Sequence, residues 1–137
     1  MNTTAHPITR TPATVALELY GAVLAGDVDR VRELVSPDVT LEVPGTHPLA
    51  GRHRGVEGIL TFMAGSRAAT DDGEHLDVLD VLDGSEHAAI YLHVTATRGQ
   101  RPPLDNHTVH LAHVAGGVVD AIWIHNRADA PVNDFWS

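Results

Sequence analysis

Apolar positions change their period along this chain. They recur every three to four residues in the first half and every two in the second. Val15, Leu19, Val23 and Leu24 fall at helical spacing, with Ala16 and Tyr20 beside them. Thr11-Pro12 supplies an N-cap and a first-turn proline, and Gly26 a left-handed C-cap. Asp27 then caps a second, short helix whose Val28, Val31, Leu34 and Val35 form one stripe; Ser36-Pro37-Asp38 stops it. Val39 to Val43 alternates as a strand and is broken by Pro44-Gly45. Thr46 to Arg54 reads as a loop. Val56, Ile59, Leu60 and Met63 mark a third helix, weakened by Gly58.

Beyond Asp72-Gly73 the pattern is that of strands: Leu76 to Leu82, His87 to Thr97, Asn106 to Val114 and Val118 to His125. Asp83-Gly84 and Gly116-Gly117 are hairpin signals, and Gly99 to Pro103 makes a longer turn. Helices followed by a run of antiparallel strands predict an α+β domain over residues 11–137, with residues 1–10 as a loose polar lead-in. The terminal Phe135-Trp136 is expected to fold back onto the body.

Composition narrows the function classes. The 137 residues, 43% of them apolar, suit one core. A formal charge of -9 disfavours a phosphate-backbone partner, so no nucleic-acid binding is expected. No apolar run reaches the roughly 20 residues of a membrane helix, and the start lacks the layout of a signal peptide. No membrane partner is therefore expected. The absence of cysteine removes disulfides, thiolate metal sites and a Cys nucleophile, and is compatible with a cytoplasmic location. Phosphate-loop, dinucleotide and GxSxG signatures are missing. Ten histidines are the unusual feature.

The segments "YGAVLAGD", "VSPDVTLEVPG", "PLAGRHRGVEGILTFM" and "DNHTVHLAHVAGGVVDAIW", with a terminal "DFW", resemble the nuclear-transport-factor-2-like superfamily. Within it they are most similar to SnoaL-like polyketide cyclases and ketosteroid isomerases, over about Thr11 to Trp136. The resemblance implies a cone-shaped curved antiparallel sheet wrapped around N-terminal helices, with an apolar pocket open at one end. It also implies a homodimer through the outer sheet face. Superfamily members differ in chemistry, so the fold does not choose a reaction.

With one hairpin turn near Gln100 and the other at Gly116-Gly117, the expected register sets His93 opposite His110, His110 opposite Trp123, and Thr108 opposite His125. One face then carries Tyr91, His93, Thr95, Thr108, His110, Ala112, Ala121, Trp123 and His125. The other carries Ile90, Leu92, Val94, Val109, Leu111, Ile122 and Ile124, with His107, His113 and Asp120 among them. Plain alternation would bury the aliphatic face. The resemblance implies the reverse, with the mixed face toward the pocket and the aliphatic face against a second subunit.

His110 matches the histidine that SnoaL-like cyclases carry on this strand. It is the candidate catalytic acid or base, with His93 as its expected partner. Tyr91, Trp123, His125, Thr108, His47 and His53 are the candidate substrate-binding residues; Arg52 and Arg54 could attract an anionic group. The resemblance is incomplete. Val43 stands where isomerases place a catalytic Asp, their helix tyrosine matches Leu19 with Tyr20 one place off, and the last-strand Asp of the cyclases is absent. His93, His110 and His125 fall on three adjacent strands with one facing, a set that suits zinc or iron in principle, but no HExxH or His-x-His motif supports a metal site. The expectation is therefore no metal and no cofactor. Two functions stand: acid–base cyclisation, isomerisation or dehydration of a carbonyl-bearing polyketide-like molecule in secondary metabolism, or a non-catalytic ligand-binding or dimerisation module.

Overall fold

A computed structural model describes residues 10–137. Apart from Arg10, the polar lead-in lies outside the described residues. Helix α1 (Pro12–Ala25) begins at its expected cap: the Thr11 side chain accepts from the Thr14 N–H, and Gly26 ends it at φ 70°. Asp27 caps α2 (Val28–Leu34) by accepting from the Arg30 N–H. Strand β1 (Val35–Val43) starts four residues earlier than the alternation predicted, taking in Ser36-Pro37-Asp38. Its pairing is irregular between Val35 and Thr40, where a proline lacking an N–H is tolerated.

The expected loop is partly a strand, β2 (Gly51–Arg54), paired antiparallel to β1. Its four residues, GRHR, have no apolar alternation, so the pattern concealed it. Helix α3 (Gly55–Ala69) follows. Strands β3 (His75–Asp83), β4 (His87–Ala96), β5 (Leu104–Ala115) and β6 (Val118–Asn126) then form the expected meander. Helix α4 (Asp129–Trp136) closes the chain with Val132, Phe135 and Trp136 buried. Arg98 donates to the Phe135 carbonyl at 2.9 Å and helps hold that helix down.

The six strands make one curved open sheet in the order β2-β1-β6-β5-β4-β3. Only the β1–β6 pair is parallel; the remaining neighbours are antiparallel. The helices cover one face, and the core lies between. Its deepest side chains include Val15, Val31 and Leu34 from the helices and Val39, Ile90, Leu92 and Val119 from the sheet. No helix among the described residues is long and apolar enough to cross a membrane.

The aliphatic side chains of β4 and β6 therefore point to the core, not to a second subunit. Ile90, Leu92 and Val94 are buried, as is Ile122. The cause is the cross-strand register. The β4–β5 hairpin closes symmetrically about Gln100, with Ala96 facing Leu104, so His93 faces His107 and Ile90 faces His110. The expected partner of His93 was three residues further on. An odd offset exchanges faces between paired strands. The β5–β6 pair starts at the glycine turn in the expected register, Ala115 to Val118 and Val114 to Val119. A bulge then leaves Asp120 unpaired, and beyond it His113 faces Ala121, Leu111 faces Trp123 and His110 faces Ile124.

Candidate functional site

A cavity of about 270 Å³ opens between α1, α3 and the inner sheet face. Its wall is mostly apolar: Leu19 and Val23 of α1, Leu41 and Val43 of β1, Phe62 and Met63 of α3, Ile122 and Ile124 of β6. Against this wall stand two small polar groups. One is Tyr20, His110 and Asn126; the other is Ser66, Glu74 and Arg67. A concave apolar site with few polar residues is the usual form of a small-molecule pocket.

The first group is built on a hydrogen bond across the core. Tyr20 Oη and His110 Nδ1 lie 2.6 Å apart, joining helix α1 to strand β5. Burial, with repulsion from His125 second, pushes the His110 pKa down to about 4, so the ring is neutral at pH 7. Burial also pushes the Tyr20 phenol above its ordinary value, so it keeps its proton. The pair thus presents one neutral imidazole and one neutral phenol. Asn126 faces the same space; its Oδ1 accepts from Asn106 Nδ2 at 2.9 Å, which leaves its own amide N–H groups as donors.

The second group is a carboxyl. Ser66 Oγ donates to Glu74 Oε1, and Ser66 is itself buried at the end of α3. Burial raises the Glu74 pKa, opposed by the Ser66 hydrogen bond. Glu74 is thus the carboxyl of the cavity lining.

Of the residues expected to form the site, the structure brings only His110 to the cavity wall. Thr108 also points inward, but it is fully buried and donates to the His125 carbonyl at 3.1 Å. His47 is buried beside Trp136, with ring centroids 6.4 Å apart, away from the cavity lining. Its Nδ1 accepts from the Leu49 N–H, and burial lowers its pKa. His53 packs behind Phe62 at 5.1 Å and bonds the Leu49 carbonyl, so it supports the wall from outside. Tyr91, His93, Trp123 and His125 lie on the outer sheet face, because of the register described above. His93 therefore cannot orient His110. The imidazole trio His93, His110 and His125 is likewise split between two faces. Arg52 pairs with Glu42 at 2.9 Å instead of reaching the cavity.

Tyr20, Asn126 and Glu74 were missed. Tyr20 was legible: Ala16, Tyr20 and Val23 repeat at i, i+4 and i+7 on the flank of the Val15–Leu19 stripe. Asn126 lies at the very end of its strand. Glu74 precedes a strand in a run of polar residues, and no sequence signal marks its burial.

A SnoaL-like domain model matches residues 16–122. An uncharacterised protein of Mycobacterium tuberculosis H37Rv is 28% identical over 118 residues, covering 86% of this chain and 90% of its own length. Among solved structures, Bal32a from a soil-derived mobile gene cassette superposes with a TM-score of 0.85 at 24% identity, over 92% of this chain and 96% of that one. An NTF2-like protein from Burkholderia xenovorans LB400 gives 0.80 at 15% identity, over 93% and 98%. IdmH of Streptomyces antibioticus, provisionally a polyketide cyclase, gives 0.71 at 23% identity, over 86% and 93%. At these identities the structural likenesses establish the NTF2-like fold.

Proposed function

The chain belongs to the SnoaL-like family, and from that premise we propose that it is a cofactor-free acid–base enzyme of secondary metabolism acting on a carbonyl-bearing, polyketide-like small molecule. The observation that carries this reading is the Tyr20–His110 hydrogen bond at the wall of an otherwise apolar cavity. With Nδ1–H donated to Tyr20 Oη, His110 Nε2 keeps a lone pair and the phenol O–H is free for a substrate oxygen. Nε2 then takes a proton from the carbon beside a carbonyl, while Tyr20, helped by Asn126, donates to the oxygen on which the enolate charge develops. The imidazolium and enolate form together, so the cavity gains no net charge. The enolate carbon is then reprotonated elsewhere, or attacks a second carbonyl in a ring closure. In the second case Glu74 supplies the proton to the new alkoxide, and its carboxylate then takes back the proton held by the His110 imidazolium.

The test begins with a thermal-shift screen of aromatic polyketones and hydroxyquinones. Ligands that raise the melting temperature are then incubated in D₂O and followed by NMR. Enzyme-dependent deuterium uptake beside the carbonyl, lost in His110→Ala, is expected. Binding with no exchange or conversion in any ligand would leave the non-catalytic module as the better reading. One observation favours that alternative: Val43, a side chain without a proton acceptor, lines the cavity where the related isomerases place their base.

The same proposal takes the protein to be a cytoplasmic homodimer. The contact would use the outer sheet face, where Tyr91, Val109, Leu111 and Trp123 are only partly exposed and lie outside the core. Light scattering at micromolar concentration tests it, and a monomer mass of 14.6 kDa would refute it.

A further inference from the structure

The outer sheet face carries a second cluster of titratable side chains, separated from the cavity by the sheet itself. His93 on β4 is in register with His107 on β5, and their rings stack at 4.4 Å with planes 10° apart. Asp105 precedes His107 by two residues, so alternation gives it the same face. His93 Nε2 and Asp105 Oδ1 lie 2.6 Å apart. One ligand atom from each of the three residues lies within 4.8 Å of the other two. We propose that His93, His107 and Asp105 form a binding site for a divalent transition-metal ion of the zinc type.

The geometry needs little change to close around an ion. Zinc bonds of about 2.0–2.1 Å in a tetrahedron place donor atoms roughly 3.3 Å apart. The ligand atoms already lie within 4.8 Å. Rotation of two partly exposed rings and one exposed carboxylate covers the difference, with the backbone held by the β4–β5 ladder. Two imidazoles and a carboxylate suit zinc, nickel or copper, and are the wrong set for calcium or magnesium, which take oxygen ligands.

Charge and access point the same way. The Asp105 carboxylate is exposed and already turned to His93, 2.6 Å from its Nε2, so an ion entering there meets both donors. Asp77 of β3 is in register with His93 and exposed on the same face, its carboxylate 3.2 Å from His75 Nε2. A groove lined by Asp72, His75, His93 and Asp105 opens beside the cluster and gives a hydrated ion an acidic approach. Arg127, from the end of the neighbouring strand β6, bonds the Tyr91 hydroxyl. A bound ion would tie β4 to β5 from the side opposite the cavity and take no part in the chemistry proposed there.

The experiment uses tag-free, EDTA-dialysed protein titrated with zinc chloride by calorimetry, with melting temperature as a second readout. One ion per chain is expected, with a Kd on the order of micromolar. His93→Gln, His107→Gln and Asp105→Asn should each weaken binding by about 10-fold or more. His113→Gln serves as control. That histidine shares the outer face but bonds Asp120 at 2.6 Å, and its replacement should leave zinc affinity unchanged. Zinc should raise the melting temperature of the parent chain, and EDTA should reverse the rise. Circular dichroism of each metal-free variant checks that it is folded. Three results would overturn the proposal: no heat and no melting shift at roughly 100-fold the expected Kd, full affinity in the folded His93→Gln/His107→Gln double variant, or one ion per two chains.

Discussion

The two faces of strands β4, β5 and β6 use the same residue type under opposite electrostatic conditions. On the inner face His110 has no carboxylate beside it; burial pushes its pKa down to about 4 and it pairs with a phenol. On the outer face His113 is half-solvated, and the Asp120 hydrogen bond, with help from Glu86, raises its pKa. His93 Nε2 lies 2.6 Å from Asp105 Oδ1 on the same face. A histidine that must stay neutral is placed away from carboxylates, and one that can carry charge is placed against them. The alternation of the strand is enough to produce both from neighbouring positions.

The sharpest way to break this contrast is to put a carboxylate on each face in turn. Ile90→Glu buries an unpaired charge among Leu92, Ala112 and the helices and should abolish folding, seen as loss of the near-ultraviolet circular dichroism signal. Leu111→Glu, on the outer face, should leave the monomer folded and dissociate the proposed homodimer by light scattering. If both variants fold, the inner face is not the core.

Next in size is the proposed base. His110→Ala should lower deuterium exchange or turnover about 10²- to 10⁴-fold, the usual span for one acid–base group. His93→Ala should leave the rate unchanged, because its ring is on the other side of the sheet. Equal losses in the two variants would mean that His110 acts through the fold and not through its proton.

The pH dependence sharpens the same point. His110 is held below its unfolded value near 6.5, so between pH 6.5 and about 4 the unfolded chain binds the proton more readily. Its contribution to stability is complete above pH 6.5 and is lost as pH falls through that window, up to roughly 3 kcal/mol. His113 has the opposite sign: its pKa is raised on folding, so its contribution is present at low pH and lost as pH rises through the folded value. Urea midpoints at pH 7.5 and 4.5 for His110→Asn and His113→Asn should therefore change in opposite directions relative to the parent chain. The acid limb of the rate profile should fall near pH 4, well below the ordinary imidazole value.

Tyr20→Phe should cost about 1–2 kcal/mol of stability, because it leaves His110 Nδ1 without its partner. It should also lower the rate less than His110→Ala does. The smallest effect belongs to His125→Ala on the exposed outer face: within about 0.5 kcal/mol in stability and no change in rate. A large rate loss there would return His125 to the site.

The helix boundaries and the four-strand meander were legible because each rests on a local cause. Thr11, Gly26 and Asp27 satisfy or release backbone groups at their own positions, and the Gly116-Gly117 turn adopts φ of 62° and 81°, conformations that glycine alone takes without strain. Strand β2 was not legible, since GRHR is held by pairing to β1 and not by its own pattern. Of the candidate site, His110 was legible from the resemblance and Tyr20 from its helix stripe, but their pairing across the core was not. A bulge at Asp120 and a hairpin centred on Gln100 decide which neighbours share a face, and neither leaves a mark on the alternation of any single strand.

The sequence by itself determined which residues lie together along each helix stripe and each strand face, because those sets follow from bond geometry with periods of 3.6 and 2. It also determined the family. Only the tertiary structure decided which stripes meet. Cross-strand register depends on turn length and on one unpaired residue, and an odd shift in either moves every side chain of the partner strand to the opposite side of the sheet. That is why Tyr20 rather than His93 stands 2.6 Å from His110, and why Glu74 lies in the cavity while Trp123 and His125 lie outside it.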